Sequence, residues 1–234
     1  MSESALLQVH NLKQVERAGR PGAARALFDG LSLALATGEC VAVATPPGEM
    51  AGALARTLAL LERPAEGRIL FEGVDVTRAR GGKLRGLRRR LQYVGGEARR
   101  ALAPQLTLAN LLAEPLNVHR LGTPAERRER VAAAARDWGL NPHVLQFSAG
   151  ALSAALCQRA ALARACLLEP RLLIADQVTQ RLEPAAAAPL LARLSEHCQE
   201  AGLACLLFTP EPALAREFGQ RQLRLHPNGQ LRTV

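Results

Sequence analysis

Three short stretches carry residue types whose spacing bears on phosphate and metal chemistry. Thr45-Pro46-Pro47-Gly48-Glu49-Met50-Ala51-Gly52 joins the apolar run Cys40–Ala44 to a helical pattern over residues 50–61. A helix that opens directly after a strand presents unpaired N–H groups and the positive end of its dipole to an anion. Asp176 closes a second apolar run, residues 171–175, and Gln177 comes next. A carboxylate at a strand end often simply caps a neighbouring helix. Ser153 opens a strong helical pattern over residues 153–168 and is a residue type that caps helices. Other chemistry has little support. The five histidines (His10, His119, His143, His197, His226) are scattered, and the five cysteines (Cys40, Cys157, Cys166, Cys198, Cys205) form no CxxC pair and no metal spacing.

The elements that must position these residues are set by periodicity. Apolar, β-rich runs at 6–12, 31–35 and 40–44 are punctuated by Gly30 and Gly38, with a Gly/Pro/Arg loop at 17–24. After the helix at 50–61, Pro64 and Gly67 end the unit and residues 68–71 form another strand. From 84 to 140 the pattern is mainly helical, with a strand only at 91–94. Pro124 sits in the first turn of a helix over 125–138. The last third alternates again: strand 171–175, helix 185–199, strand 203–209, then short strands at 222–226 and 231–234. Strands alternating with helices predict a mostly parallel α/β sheet, here as a single domain over residues 1–234 with a helical subdomain inserted at about 96–160.

Composition sets outer limits. A chain of 234 residues, 48% hydrophobic and 22% charged, buries an ordinary globular core. Aromatics make up 3%, too few for base-stacking platforms. The net charge of +9 comes from arginine, clustered at Arg85, Arg88, Arg89, Arg90, Arg99 and Arg100 and again at Arg127, Arg128 and Arg130. Such a balance attracts phosphate, nucleic acid or an anionic membrane, but solvated helix faces explain it as simply. MSESALLQVHNL lacks a basic segment leading into an apolar one, and no apolar stretch reaches the roughly 18 residues of a membrane helix. An odd cysteine count without a framework fits a reducing cytoplasm. The expectation is a soluble chain able to dock on a membrane protein.

A strand, tight loop and helix early, with a late strand ending in Asp, frame a P-loop NTPase. Longer stretches narrow the resemblance. GECVAVATPPGEMAGALAR is similar to the stretch around the phosphate loop of ABC transporter ATPases, and LERPAEGRILFEGVDV to the stretch immediately downstream of that loop. QRAALARACLLEPRLLIAD resembles the helix and strand joining their signature motif to Walker B. RRRLQYV and ALAPQLTLANLLAEPL resemble the Q-loop region of the oligopeptide, dipeptide and nickel importer branch, and ACLLFTPEPALAREF falls where that branch carries its switch histidine.

The resemblance implies a P-loop NTPase-like α/β fold, with ATP and Mg²⁺ as ligands. It also implies which positions would bind them, and there the sequence departs. A working loop reads GxxxxGK[ST]: amides wrap the phosphates, Lys neutralises them, and a hydroxyl holds Mg²⁺. Thr45 replaces the first glycine and Met50 the second. Gly48 and Glu49 fill intervening places, Ala51 stands for the lysine, Gly52 for the hydroxyl, and Ala53 comes after. Pro47 adds a residue without an N–H. A Glu49 carboxylate about 4 Å from a phosphate oxygen costs on the order of 4 kcal/mol at an effective dielectric near 20, against about 1 kcal/mol from the helix dipole. Repulsion wins. In Walker B, Asp176 keeps the Mg²⁺-holding type, while Gln177 replaces the carboxylate that activates water, and an amide cannot accept that proton. Gly96 takes the Q-loop position and Pro210 the switch histidine position. Leu152-Ser153-Ala154-Ala155-Leu156 aligns with LSGGQ, and Gln180-Arg181-Leu182-Glu183 with the D-loop. No aromatic stands at 13–18 to stack on adenine.

The resulting expectation is a degenerate ATP-binding subunit of an ABC importer for peptides or nickel. It would have no intact catalytic residue and would act as structural and coupling partner of an active homologous ATPase. Its partners would be that ATPase and two transmembrane permease subunits, at the inner face of the cell membrane. Two alternatives stand beside it: a divergent but active ABC ATPase, and a soluble regulatory or nucleic-acid-binding adaptor. The scarcity of aromatics speaks against nucleic acid.

Overall fold

The computed structural model describes residues 5–17, 24–46 and 48–234. The loop expected at 17–24 therefore falls largely outside the described residues, and Pro47 falls wholly outside them. The chain divides into two compact units: Met1–Tyr93 with Arg171–Asp176 and Ser195–Val234, and Val94–Pro170 with Gln177–Leu194.

The first unit is built from two sheets. Strands β1 (Ala5–Arg17), β2 (Ala24–Ala36), β4 (Glu66–Phe71) and β5 (Val74–Asp75) form a four-stranded antiparallel sheet in the order β2-β1-β4-β5. The sequence predicts a mostly parallel sheet and does not separate this one. The reason lies in β2, a long strand that from Leu31 to Ala36 alternates buried and exposed residues, the pattern of a sheet packed on one face. Strands β3 (Cys40–Ala44), β6 (Leu91–Gly95), β7 (Leu172–Asp176), β8 (Ala204–Thr209), β9 (Arg221–Leu225) and β10 (Leu231–Thr233) form the six-stranded sheet, ordered β10-β9-β3-β8-β7-β6. Its centre is parallel: β3 pairs with β8 from Cys40↔Cys205 to Ala44↔Thr209, and β7 pairs with β8 on the other side. All six residues of β8 and all five of β7 are buried, as a strand covered on both faces requires. The apolar runs at 40–44 and 171–175 thus belong to one sheet, with β8 between their strands.

Helix α1 (Glu49–Leu58) comes directly after β3, starting one residue earlier than the periodicity predicts and ending three sooner. It stops because Leu60 enters the left-handed region at φ 57 and Leu61 N–H donates to the Arg56 carbonyl. Helix α2 (Gly81–Arg90) completes the expected helix-to-strand passage into β6.

The second unit is helical. It holds α3 (Ala98–Ala101), α4 (Leu108–Val118), α5 (Pro124–Asp137), α6 (Ala154–Cys166) and the first part of α7 (Pro184–Ala201). Thr123 caps α5 through a reciprocal pair with Glu126, at 3.3 and 2.6 Å, and Pro124 occupies the first turn. Leu108, Leu112, Leu116, Ala160 and Leu162 are fully enclosed, with Trp138 close behind, so Leu and Ala fill this core as the composition demands. Helix α8 (Pro212–Glu217) lies in the first unit between β8 and β9.

Candidate nucleotide site

In the first unit the β3–α1 junction and the end of β7 come together. Thr45 leaves β3 with its N–H donating to the Thr209 carbonyl at 2.9 Å. Its side chain is buried, and among the described residues its hydroxyl finds no hydrogen-bond partner. Gly48 caps α1 with φ 120, a conformation that only glycine adopts cheaply. Glu49 is exposed in the first turn of α1, where its charge suits the helix dipole, and Met50 packs against the apolar core. Ala51 is 0% exposed and belongs to that core; Gly52 and Ala53 are buried beside it.

Asp176 is the last residue of β7 and is 6% exposed. Its Oδ2 accepts a hydrogen bond from the Tyr93 hydroxyl at 2.8 Å. Burial, and then the Asp176 charge, push the Tyr93 phenol well above its ordinary value. A Cβ built on Gly52 would lie 3.6 Å from Asp176 Oδ2 and 2.8 Å from Nη1 of Arg56. Arg56 is anchored at its Nε by Glu62 Oε1, 2.5 Å away. Burial pulls the Arg56 guanidinium down, but Glu62, Tyr93 and Asp176 outweigh it and hold the pKa above its usual value. Sequence reasoning passed over both Arg56 and Tyr93. The signals were present: Arg56 stands four residues after Gly52, on the same helical face, and Tyr93 is the chain's single tyrosine. Pro210 is exposed in the bend after β8, with no side-chain polar group to offer.

In the second unit, Gln177 takes the left-handed region at φ 52 and its carbonyl accepts from Gln180 N–H at 2.9 Å. A Cβ on Gly96 would sit 2.2 Å from that same carbonyl oxygen. Backbone meets backbone there, so position 96 admits no side chain without a shift of the main chain. Gln158, 2% exposed on α6, donates to the Gly95 carbonyl at 3.1 Å and holds this segment from the other side; sequence reasoning did not single it out either. Ser153 caps α6, its hydroxyl accepting from Leu156 N–H at 3.3 Å. In the stretch after Gln177, Arg181 pairs with Glu97 at 2.8 Å, and that guanidinium lowers the Glu97 carboxyl. Among the described residues no group of three His, Cys, Asp or Glu side chains could hold a metal ion.

A glycine-turned strand-to-helix junction, with an aspartate closing the strand next but one in the same parallel sheet, defines a P-loop NTPase fold. Comparison with known proteins gives the family. The family model for ABC transporter matches residues 28–180. A peptide import ATP-binding protein of Brucella ovis is 30% identical over 226 residues, covering 97% of this chain and 71% of that protein. The nickel import ATP-binding protein NikE of Pseudomonas putida is 32% identical over 225 residues, covering 95% and 82%. The chain belongs to the ABC transporter family, as an ATP-binding domain of the branch that the sequence resembles. The solved structures agree on the fold. The dimeric post-hydrolysis state of the ATP-binding cassette MJ0796 superposes with a TM-score of 0.88 at 22% identity, covering 97% of each chain.

Proposed function

We propose that this chain is the non-hydrolysing ATP-binding subunit of an ABC importer for peptides or nickel, paired with an active homologue and two transmembrane permeases. The names of its relatives support the importer class, and the absence of any described helix long and apolar enough to cross a membrane suits a subunit that docks on one. The chain is a single ABC domain over 1–234 with its helical subdomain at about 96–160.

One observation carries the loss of hydrolysis: the residues present do not fit MgATP. Position 51 is an enclosed core alanine where a phosphate-neutralising lysine would be needed. Position 52 has no hydroxyl, and an arginine reaches the space beside it. Position 96 cannot carry a glutamine against the Gln177 carbonyl, and Gln177 itself is no base. The scaffold persists because its surfaces serve assembly and coupling.

The purified chain is expected to show no ATP turnover above background, and Gln177→Glu alone should not create it. Turnover by the unchanged chain, abolished by Asp176→Ala, would overturn the reading. In the assembled pair, the site built from the partner's phosphate loop and Ser153 here is the one able to bind ATP, so the heterodimer takes up about one nucleotide at the helix terminus of α6. Two nucleotides per heterodimer would count against it.

A further inference from the structure

We infer that Arg56 is a tethered cation that takes the place of a divalent metal as the positive partner of Asp176. The inference deepens the non-hydrolysing reading and rests on it. Three independent features converge. Gly52 leaves open the point where a side chain would begin, and the Nη1 of Arg56 lies 2.8 Å and Asp176 Oδ2 3.6 Å from that point. Any side chain at 52 would push the guanidinium aside, so the arginine's position depends on the residue that a metal-binding loop would not have. Second, Glu62 grips the guanidinium at Nε, 2.5 Å away, which leaves the Nη groups directed past Gly52. Third, the Tyr93 hydroxyl donates to the same oxygen of Asp176, 2.8 Å away, and holds the carboxylate in place. A carboxylate that is 6% exposed needs a positive partner or it shifts to its neutral form. Here the chain supplies that partner itself.

The ordinary alternative is a half-exposed ion pair between Arg56 and Glu62 that merely passes near Asp176; such pairs contribute little. The two differ in what removing the charge does. Mn²⁺ binding is measured by the loss of the free-ion electron paramagnetic resonance signal, without nucleotide, on the full chain. Wild type should bind weakly. Arg56→Gln should bind about tenfold tighter or more, since a unit charge near the carboxylate has gone, and Arg56→Lys should stay within about threefold of wild type. Gly52→Ala keeps every charge and adds no metal ligand, but its Cβ displaces the guanidinium, and it should show the same gain. Adding Asp176→Asn to Arg56→Gln should erase it. Unchanged Mn²⁺ binding in both Arg56→Gln and Gly52→Ala, or a gain that survives Asp176→Asn, would overturn the assignment. Because no nucleotide is present, that failure would leave the non-hydrolysing reading standing, whereas ATP turnover by the wild type would sink that reading whatever Mn²⁺ does.

Discussion

At the scale of single residues, the candidate site is a set of substitutions that each satisfy local packing. Ala51 completes the core, Gly48 keeps the turn, and Glu49 sits where a helix favours negative charge. Thr45 is the exception, with a buried hydroxyl that no described residue pairs. An unsatisfied buried polar group costs about 1–3 kcal/mol, and valine has nearly the same shape as threonine. Thr45→Val should therefore raise stability by roughly 1 kcal/mol, read as a higher urea midpoint at unchanged slope. A lower midpoint would mean that the hydroxyl is bonded. Much of this scale is legible in the sequence, where the residue types at 45–53, 96, 153, 177 and 210 stand in plain view. Their spatial neighbours do not. Arg56 and Tyr93 reach Asp176 through the fold, from 120 and 83 residues away in sequence, and no local pattern announces such a meeting.

At the scale of elements, termini decide more than interiors. Helix α6 begins with Ser153, whose hydroxyl serves the Leu156 amide, so the serine already has a structural task before any partner is considered. Ser153→Ala should cost the isolated chain about 1 kcal/mol by urea unfolding, the usual value of a lost cap. A loss several times larger would show that the hydroxyl supports more than its own helix turn. The strands at 40–44 and 204–209 were legible because burial on both faces writes a continuous apolar run. The antiparallel sheet was not, because pairing among β1, β2 and β4 joins residues such as Leu7 and Phe71 that are far apart in the chain. Short β5 and the early end of α1 were missed for a related reason: two residues carry no period, and a left-handed Leu60 has no sequence signature.

Across the whole molecule, the basic surface and the buried thiols point in different directions. Arg85, Arg88, Arg89 and Arg90 on α2 lie towards solvent, as charged faces should, and Arg90 is paired with Glu72. All five cysteines are buried as thiols. Burial pushes the Cys166 thiol up to about 12, and a hydrogen bond to Cys198, then burial, raises Cys40 as well. Thiolate is the reactive form, so the folded chain should leave all five thiols silent to a disulfide reagent at neutral pH, and all five should react once guanidinium unfolds it. One thiol reacting rapidly in the native state would show that part of the core opens readily.

The close approach at Gly96 bears on how such a chain can change over generations. Substitutions arrive one at a time, and each intermediate must still fold. A glutamine returning to position 96 meets the Gln177 carbonyl 2.2 Å from its Cβ, so the first step back is disfavoured before any benefit appears. The step becomes tolerable only after the backbone at 177 has moved, and that movement brings no advantage alone. Such contacts act as a ratchet: drift away from this geometry is gradual, while reversal demands several coincident changes.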